Sequence, residues 1–142
     1  MSLTVRSASG VDEASVISLW RECDLVASYN DPLVDFRFAR AGPSSDVLVV
    51  VDDGDAVVGT VMVGHDGHRG WLYYVATAPQ YRGLGVGRRI VEAAEAWLRQ
   101  RGVAKAQLLV RETNTKVVSL YEHLGFEIAP RTVMGKWLGP SV

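Results

Sequence analysis

Apolar residues recur along this chain at two spacings, and the spacing switches wherever glycine, proline and aspartate gather. Alternation over "LTVRS" (Leu3–Ser7) predicts a short opening strand. Ser9 and Asp12 stand at capping-box spacing, and Val16, Leu19, Trp20 and Cys23 then share one helical stripe. "YNDP" (Tyr29–Pro32) breaks that helix, and a second is expected over Pro32–Arg40 with proline in its first turn. Two β-branched runs, Val47–Val51 and Val57–Val63, flank Asp-Asp-Gly-Asp and predict a hairpin. "GHRG" then turns the chain into an aromatic strand, "WLYYVATA" (Trp71–Ala78), which stops before Pro79.

The helical period returns after Gly87. Ile90, Ala94 and Trp97, with Val91 and Leu98, repeat at i, i+4 and i+7, and Gly102 stands where a C-terminal cap belongs. "AQLLV" (Ala106–Val110) reads as a buried strand. Asn114 caps a helix expected to reach about Leu124, Gly125 ends it, and two short strands are expected near Phe126–Ala129 and Val133–Leu138. This order mixes helices with antiparallel strands, unlike a repeating βαβ winding or a helical bundle.

Composition narrows the class. A chain of 142 residues that is 48% hydrophobic supports one core, so one domain over residues 1–142 is expected. No apolar run approaches the roughly 20 residues that span a bilayer, and "MSLTVRSASGVDE" lacks the pattern of a secretion signal. The single cysteine, Cys23, cannot form an internal disulfide and suits a reducing compartment. The expectation is a cytoplasmic protein without a membrane partner. A net charge of -1 argues against nucleic acid as partner, because binding phosphate chains calls for a basic excess.

The stretch "APQYRGLGVGRRIVEAAEAWL" (Ala78–Leu98) spends three glycines on alternate positions just where a helix begins, although each costs a helix about 1 kcal/mol relative to alanine. A helix start leaves up to four N–H groups without acceptors and carries a partial positive charge, so a phosphate satisfies both. Gly83, Gly85 and Gly87 hold no side chain against such a ligand, and Arg82, Arg88 and Arg89 add positive charge. A tight turn with ordinary surface arginines is the competing reading. The stretch lacks the Lys-Ser/Thr pair of a triphosphate loop, reads G-x-G-x-G instead of G-x-G-x-x-G, and is followed by a strand without a terminal acidic residue. Both nucleotide readings are therefore weakened.

At this point the sequence resembles the GNAT family of acyl-CoA-dependent N-acetyltransferases. Gln80-Tyr81-Arg82-Gly83-Leu84-Gly85 matches that family's Q/R-x-x-G-x-G/A signature, between a strand and a helix. "NTKVVSLYEHLGF" (Asn114–Phe126) is similar to its closing helix, and "LWRECDL", "NDP", "VGTVMVGHDGHRG" and "YY" further resemble the YpeA-like bacterial branch. The resemblance implies an α+β (mixed αβα) fold: a central, mostly antiparallel twisted sheet, splayed between the fourth and fifth strands, with helices on both faces. It also implies acetyl-CoA as co-substrate, no metal, a primary amine as acceptor, and a monomer or homodimer. An acyl-CoA-binding sensor of the same fold, without catalysis, is the alternative.

The resemblance assigns residues as well. The pyrophosphate would lie on Arg82, Gly83, Leu84, Gly85, Val86 and Gly87. The pantetheine arm would pair with the backbone of Val75, Ala76 and Thr77 almost as an added strand. A Val75 N–H would face the thioester oxygen as a fixed donor. Asn114, Val118 and Tyr121 share one helix face by their i, i+4, i+7 spacing. Asn114 would then bond the pantetheine arm, and Tyr121 would serve as general acid to the departing sulfur; packing with its hydroxyl at the rim is the plainer role for Tyr121.

A general base is less evident. Leu109 stands where some relatives carry glutamate, and "WLYYVATA" holds no acidic residue. His68, Asp66, Glu112 or a water chain could serve, and a lone loop histidine is commonly a surface group. The acceptor is expected near the first two helices and the "HDGHRG" turn, among Trp20, Asn30, Asp31, Asp66, His68, Arg69 and Tyr74. Arg69 suits a substrate carboxylate, which suggests an amino acid or peptide end. Cys23 is read as a core thiol, with a covalent relay as the alternative.

Overall fold

The valine-rich hairpin is the centre of the fold. In a computed structural model, which describes residues 2–139, it forms strands β2 (Ser45–Val51) and β3 (Val57–His65). Asp52 closes its turn, its Oδ1 accepting from the N–H groups of Gly54 (2.9 Å) and Ala56 (3.0 Å). Strand β1 (Thr4–Ser7) pairs with β2, and β4 (Gly70–Thr77) pairs with β3, all antiparallel. β5 (Ala106–Leu108) adds a short parallel edge, giving the order β1-β2-β3-β4-β5. Four neighbouring antiparallel strands differ from the parallel sheet of a doubly wound dinucleotide domain.

Alternation along β3 sends adjacent side chains to opposite faces. The Thr60 hydroxyl accepts from the indole N–H of Trp20 (3.0 Å), on α1 (Glu13–Glu22). Next to it, a Cβ added to Gly59 would meet Val86 Cγ1 at 2.7 Å, in the first turn of α3 (Val86–Gln100). α1 and α3 therefore cover opposite faces. α3 buries Val86, Ile90, Val91, Ala94, Trp97 and Leu98, the stripe its period predicts. Phe36 of α2 (Pro32–Ala39) packs near Trp20, ring centroids 6.3 Å apart, so α2 shares the α1 face. Asp31 caps α2, its Oδ1 accepting from Leu33 N–H (3.0 Å), and Arg37 of α2 grips Glu13 of α1 through two hydrogen bonds.

At the N-terminal side Arg6 holds Asp12 in a fork of 2.7 and 3.0 Å, and the same carboxylate accepts the Ser9 N–H (2.8 Å). No helix among the described residues is long and apolar enough to cross a membrane.

The elements through Leu108 form one compact unit, and residues from Leu109 onward form a second. In the second, α4 (Thr115–His123) is capped by Asn114, whose Oδ1 accepts from Val117 N–H at 3.4 Å. Two expectations need correction. The segments near Phe126–Ala129 and Val133–Leu138 are not strands; they join no hydrogen-bonded ladder among the described residues. Alternation specifies a face but not a partner edge, and without a partner there is no strand. The strand expected at Ala106–Val110 likewise ends at Leu108, where pairing with β4 stops.

Candidate functional site

Strand β4 opens where the family resemblance expects it to. β5 pairs only with Gly70–Leu72, so Tyr73–Thr77 has no strand on that side among the described residues. The other side of β4 is irregular too. Its register with β3 steps from Met62↔Tyr73 to Thr60↔Ala76, leaving Tyr74 and Val75 opposite the single residue Val61. This is a β-bulge, and Tyr74 carries the strain of it with φ 51°, a left-handed backbone inside a strand. Such a conformation costs a non-glycine residue about 1–3 kcal/mol and persists only when its surroundings enforce it.

Here they do. The Tyr74 carbonyl accepts from the Thr60 hydroxyl (3.0 Å), which itself accepts from Trp20 Nε1–H. The Tyr74 ring stacks on Trp20 at 3.9 Å, and its hydroxyl donates to Asp35 Oδ2 at 2.7 Å. Burial first, and then the Asp35 carboxylate, raise the Tyr74 phenol well above its ordinary value, so it stays a donor. Trp20 and Thr60 are fully buried. Three elements thus pin one bulge: α1 by stacking, β3 by a hydroxyl and α2 by a carboxylate.

Beyond β4, a single turn of 3₁₀ helix (Pro79–Tyr81) leads into the glycine stretch. Tyr81 donates to Asp52 Oδ2 (2.9 Å), tying the loop entry to the hairpin turn. The backbone N–H of Ala56 and the Tyr81 hydroxyl lower the Asp52 carboxyl below its ordinary range. Gly83 and Gly85 lie at φ 79° and 83°, and open space surrounds the position of a Cβ at either. Gly85 is the N-cap of α3, and no side chain caps the helix. Its carbonyl accepts first from Arg89 N–H, so the amides of Val86, Gly87 and Arg88 precede the helical ladder. Arg82, Arg88 and Arg89 are exposed around them. The result is a bare, electropositive helix start beside the open strand edge, the chemistry that accepts a diphosphate with an extended tail.

Cys23 is not inside the core stripe. It stands one residue past α1, half-buried, its thiol 3.4 Å from the Thr77 carbonyl and 3.9 Å from Arg82 Nη2. α1 ends at Glu22, and that turns Cys23 toward the end of β4.

On the α1/α2 face, a cleft of about 410 Å³ is lined by Leu25, Asn30, Asp35, Met62, Tyr73 and Tyr74. Of the acceptor-site candidates, Asn30 and Tyr74 line it, Trp20 lies buried beneath Tyr74, and Asp31 is engaged as the α2 cap. Asp66, His68 and Arg69 occupy the β3–β4 turn and do not line the cleft. Asp66 Oδ1 accepts the N–H groups of His68 (2.9 Å) and Arg69 (2.7 Å), and Arg69 Nη1 donates to the His68 carbonyl. Asp35, Thr60 and Tyr73 are residues that the sequence pattern does not single out; Asp35 and Tyr74 are 39 positions apart, and nothing local announces their pairing. Among the described residues no group of three or more His, Cys, Asp or Glu side chains could hold a metal ion.

In the second unit, Tyr121 meets Phe126 edge to face, ring centroids 5.6 Å apart, and the Phe126 N–H returns to the Tyr121 carbonyl (3.0 Å). Burial raises the Tyr121 phenol above its ordinary value. Leu109 is half exposed.

Comparison with known proteins agrees with this geometry. The profile of the acetyltransferase (GNAT) family matches residues 14–126. Acetyltransferase ECA0875 of Pectobacterium atrosepticum is 38% identical over 127 residues, 89% of each chain. Acetyltransferase YE1169 of Yersinia enterocolitica is 35% identical over 136 residues, 96% of each chain. Among solved structures, AAC(6')-Iy in complex with the bisubstrate analogue CoA-S-monomethyl-acetylneamine shares the fold, with a TM-score of 0.82, 16% identity, and coverage of 96% of this chain and 99% of that one. The chain belongs to the acetyltransferase (GNAT) family.

Proposed function

We propose that this protein transfers the acetyl group of acetyl-CoA directly to a primary amine held in the cleft beside Tyr74. The observation that carries this reading is the uncapped, glycine-lined start of α3 next to a β4 edge that β5 leaves open. Acetyl-CoA supplies an activated acetyl group: an N–C bond to the amine replaces the C–S bond. Arg82, Gly83, Leu84, Gly85, Val86 and Gly87 hold its pyrophosphate, and the backbone of Val75, Ala76 and Thr77 holds the pantetheine arm.

Val75 follows the strained Tyr74, and in this reading its N–H is the donor to the thioester carbonyl. A donor fixed before charge develops contributes about 10²–10³ in rate. Asn114 bonds the pantetheine arm through its amide nitrogen, its Oδ1 being engaged as a helix cap. Burial raises the Tyr121 phenol and keeps its proton in place at neutral pH, and in this reading the hydroxyl gives that proton to the departing sulfur. The amine's own proton leaves to water, and solvent returns a proton to the Tyr121 phenolate. Asp66 and the backbone of His68 already hold the β3–β4 turn together, and the proposal gives neither a step.

Thermal unfolding with acetyl-CoA, CoA, NAD and ATP tests the binding half. The CoA compounds alone should stabilise, by about 2.7 kcal/mol at 100-fold excess over Kd. Release of free thiol from acetyl-CoA across an amine panel tests transfer. Stabilisation by NAD or ATP, or no amine-dependent thiol, would contradict the proposal.

A further inference from the structure

The cleft beside the bulge has a charge pattern that acetyl transfer alone does not require. None of its six lining residues is basic. The charged groups that bear on its two tyrosine hydroxyls are carboxylates, Asp35 and Asp31 on Tyr74 and Asp66 on Tyr73. Tyr74 donates to Asp35 Oδ2 only, and Oδ1 takes no hydrogen bond from the described residues. The cation nearest in sequence, Arg37, is bound in a fork to Glu13. A carboxylate that lines a cleft and enters neither ion pair found among the described residues favours a cation on the ligand. The amine that reacts cannot keep that pairing through the reaction, because it must lose its proton to offer a lone pair. A second ammonium on the same molecule can.

We propose that Asp35 selects the acceptor and that the acceptor is a diamine: one amine reacts near Val75 while the other stays protonated on the Asp35 carboxylate. This rests on the acetyl-transfer reading above and adds the substrate class to it. Tyr74 holds the carboxylate in place from one side, leaving Oδ1 for the ligand. Asn30 adds an amide at the rim of the same cleft. A carboxylate-bearing acceptor meets repulsion here, and Arg69, the residue suited to bind one, does not line the cleft.

Three acceptors sharing one carbon chain decide the matter: cadaverine, pentylamine and 5-aminopentanoate, whose far ends are cationic, apolar and anionic. Binding of each to the CoA-saturated full chain is measured by calorimetry, and thiol release from acetyl-CoA is followed in parallel. Cadaverine should bind and react with Kd and KM about tenfold below those of pentylamine, with 5-aminopentanoate weakest. Raised salt should shrink the cadaverine advantage. Asp35→Asn should compress the series to within about threefold; the wild-type series stands as the test if that variant does not fold. A flat wild-type series, a preference for the anion, absence of binding, or an Asp35→Asn series that keeps the full wild-type spread of Kd would overturn the proposal. Ordered binding without thiol release would leave the selection by Asp35 standing and overturn acetyl transfer; thiol release with a flat series would do the reverse.

Discussion

The indole of Trp20 lies 3.9 Å from the ring of Tyr74 and within 11° of parallel, while its Nε1–H is tied, through the Thr60 hydroxyl, to the carbonyl of the same Tyr74. Side chain and backbone of one strained residue are thus held by a single buried tryptophan. Thr60→Val keeps the shape but leaves the indole N–H without its acceptor and the carbonyl without this donor. Stability should fall by about 1–3 kcal/mol. Val75 follows that bulge, so under the proposed role of its N–H kcat should fall with the KM for acetyl-CoA held within about twofold, and Thr60→Ser should restore both. Denaturant unfolding and steady-state kinetics check this; equal loss in the serine variant would contradict it.

Gly85 and Gly102 separate backbone strain from ligand contact. Both have left-handed φ, 83° and 75°, and open space around a Cβ, but Gly85 starts α3 whereas Gly102 follows its end. Alanine at either should cost about 1–2 kcal/mol of stability. Only Gly85→Ala should weaken CoA binding, by about tenfold or more in calorimetry, because only there would a methyl group meet the proposed pyrophosphate.

Tyr121→Phe keeps the edge-to-face contact with Phe126 and removes the proton. The account predicts a fall in kcat of about 10²-fold with CoA affinity retained. Burial holds the phenol above its ordinary value of 10, so Tyr121 is protonated at every lower pH and should impose no alkaline loss of activity below about pH 10. A pH–rate profile of the wild type reads this directly.

Acid stability has a separate origin. The Arg6 fork lowers the Asp12 carboxyl from 3.8 to about 2, burial opposing it and the Ser9 N–H assisting. A carboxyl lowered on folding stabilises the native state above its unfolded value and loses that contribution as pH falls toward the folded one. The amount is on the order of 2 kcal/mol, lost between about pH 4 and pH 2. Arg6→Gln should flatten this part of the stability curve; chemical denaturation at pH 5 and pH 2.5 measures it.

Much of the scaffold is legible in the sequence because local physics dictates it. Val86–Leu98 shows its buried stripe by period, Asp31-Pro32 announces a helix start, and Asp52–Asp55 has few conformations besides a turn. The start of α3 is legible for the same reason: the left-handed backbone at Gly83 and Gly85 is one that glycine adopts freely. The bulge is not. "WLYYVATA" alternates like any strand, and its irregularity depends on Thr60 and Trp20, which are 14 and 54 positions away from Tyr74. Asp35 is hidden likewise, an ordinary first-turn acid until α2 brings it to the Tyr74 hydroxyl. The segment from Phe126 to Leu138 fails in the opposite direction, since an extended pattern does not become a strand without an edge to pair with.

Crystals of the full chain grown with CoA test the central claim most directly. The account predicts pyrophosphate oxygens within hydrogen-bonding distance of the Val86, Gly87 and Arg88 amides, with the pantetheine arm extended along Val75–Thr77. CoA bound elsewhere, or a glycine loop left empty at saturating ligand, would contradict it.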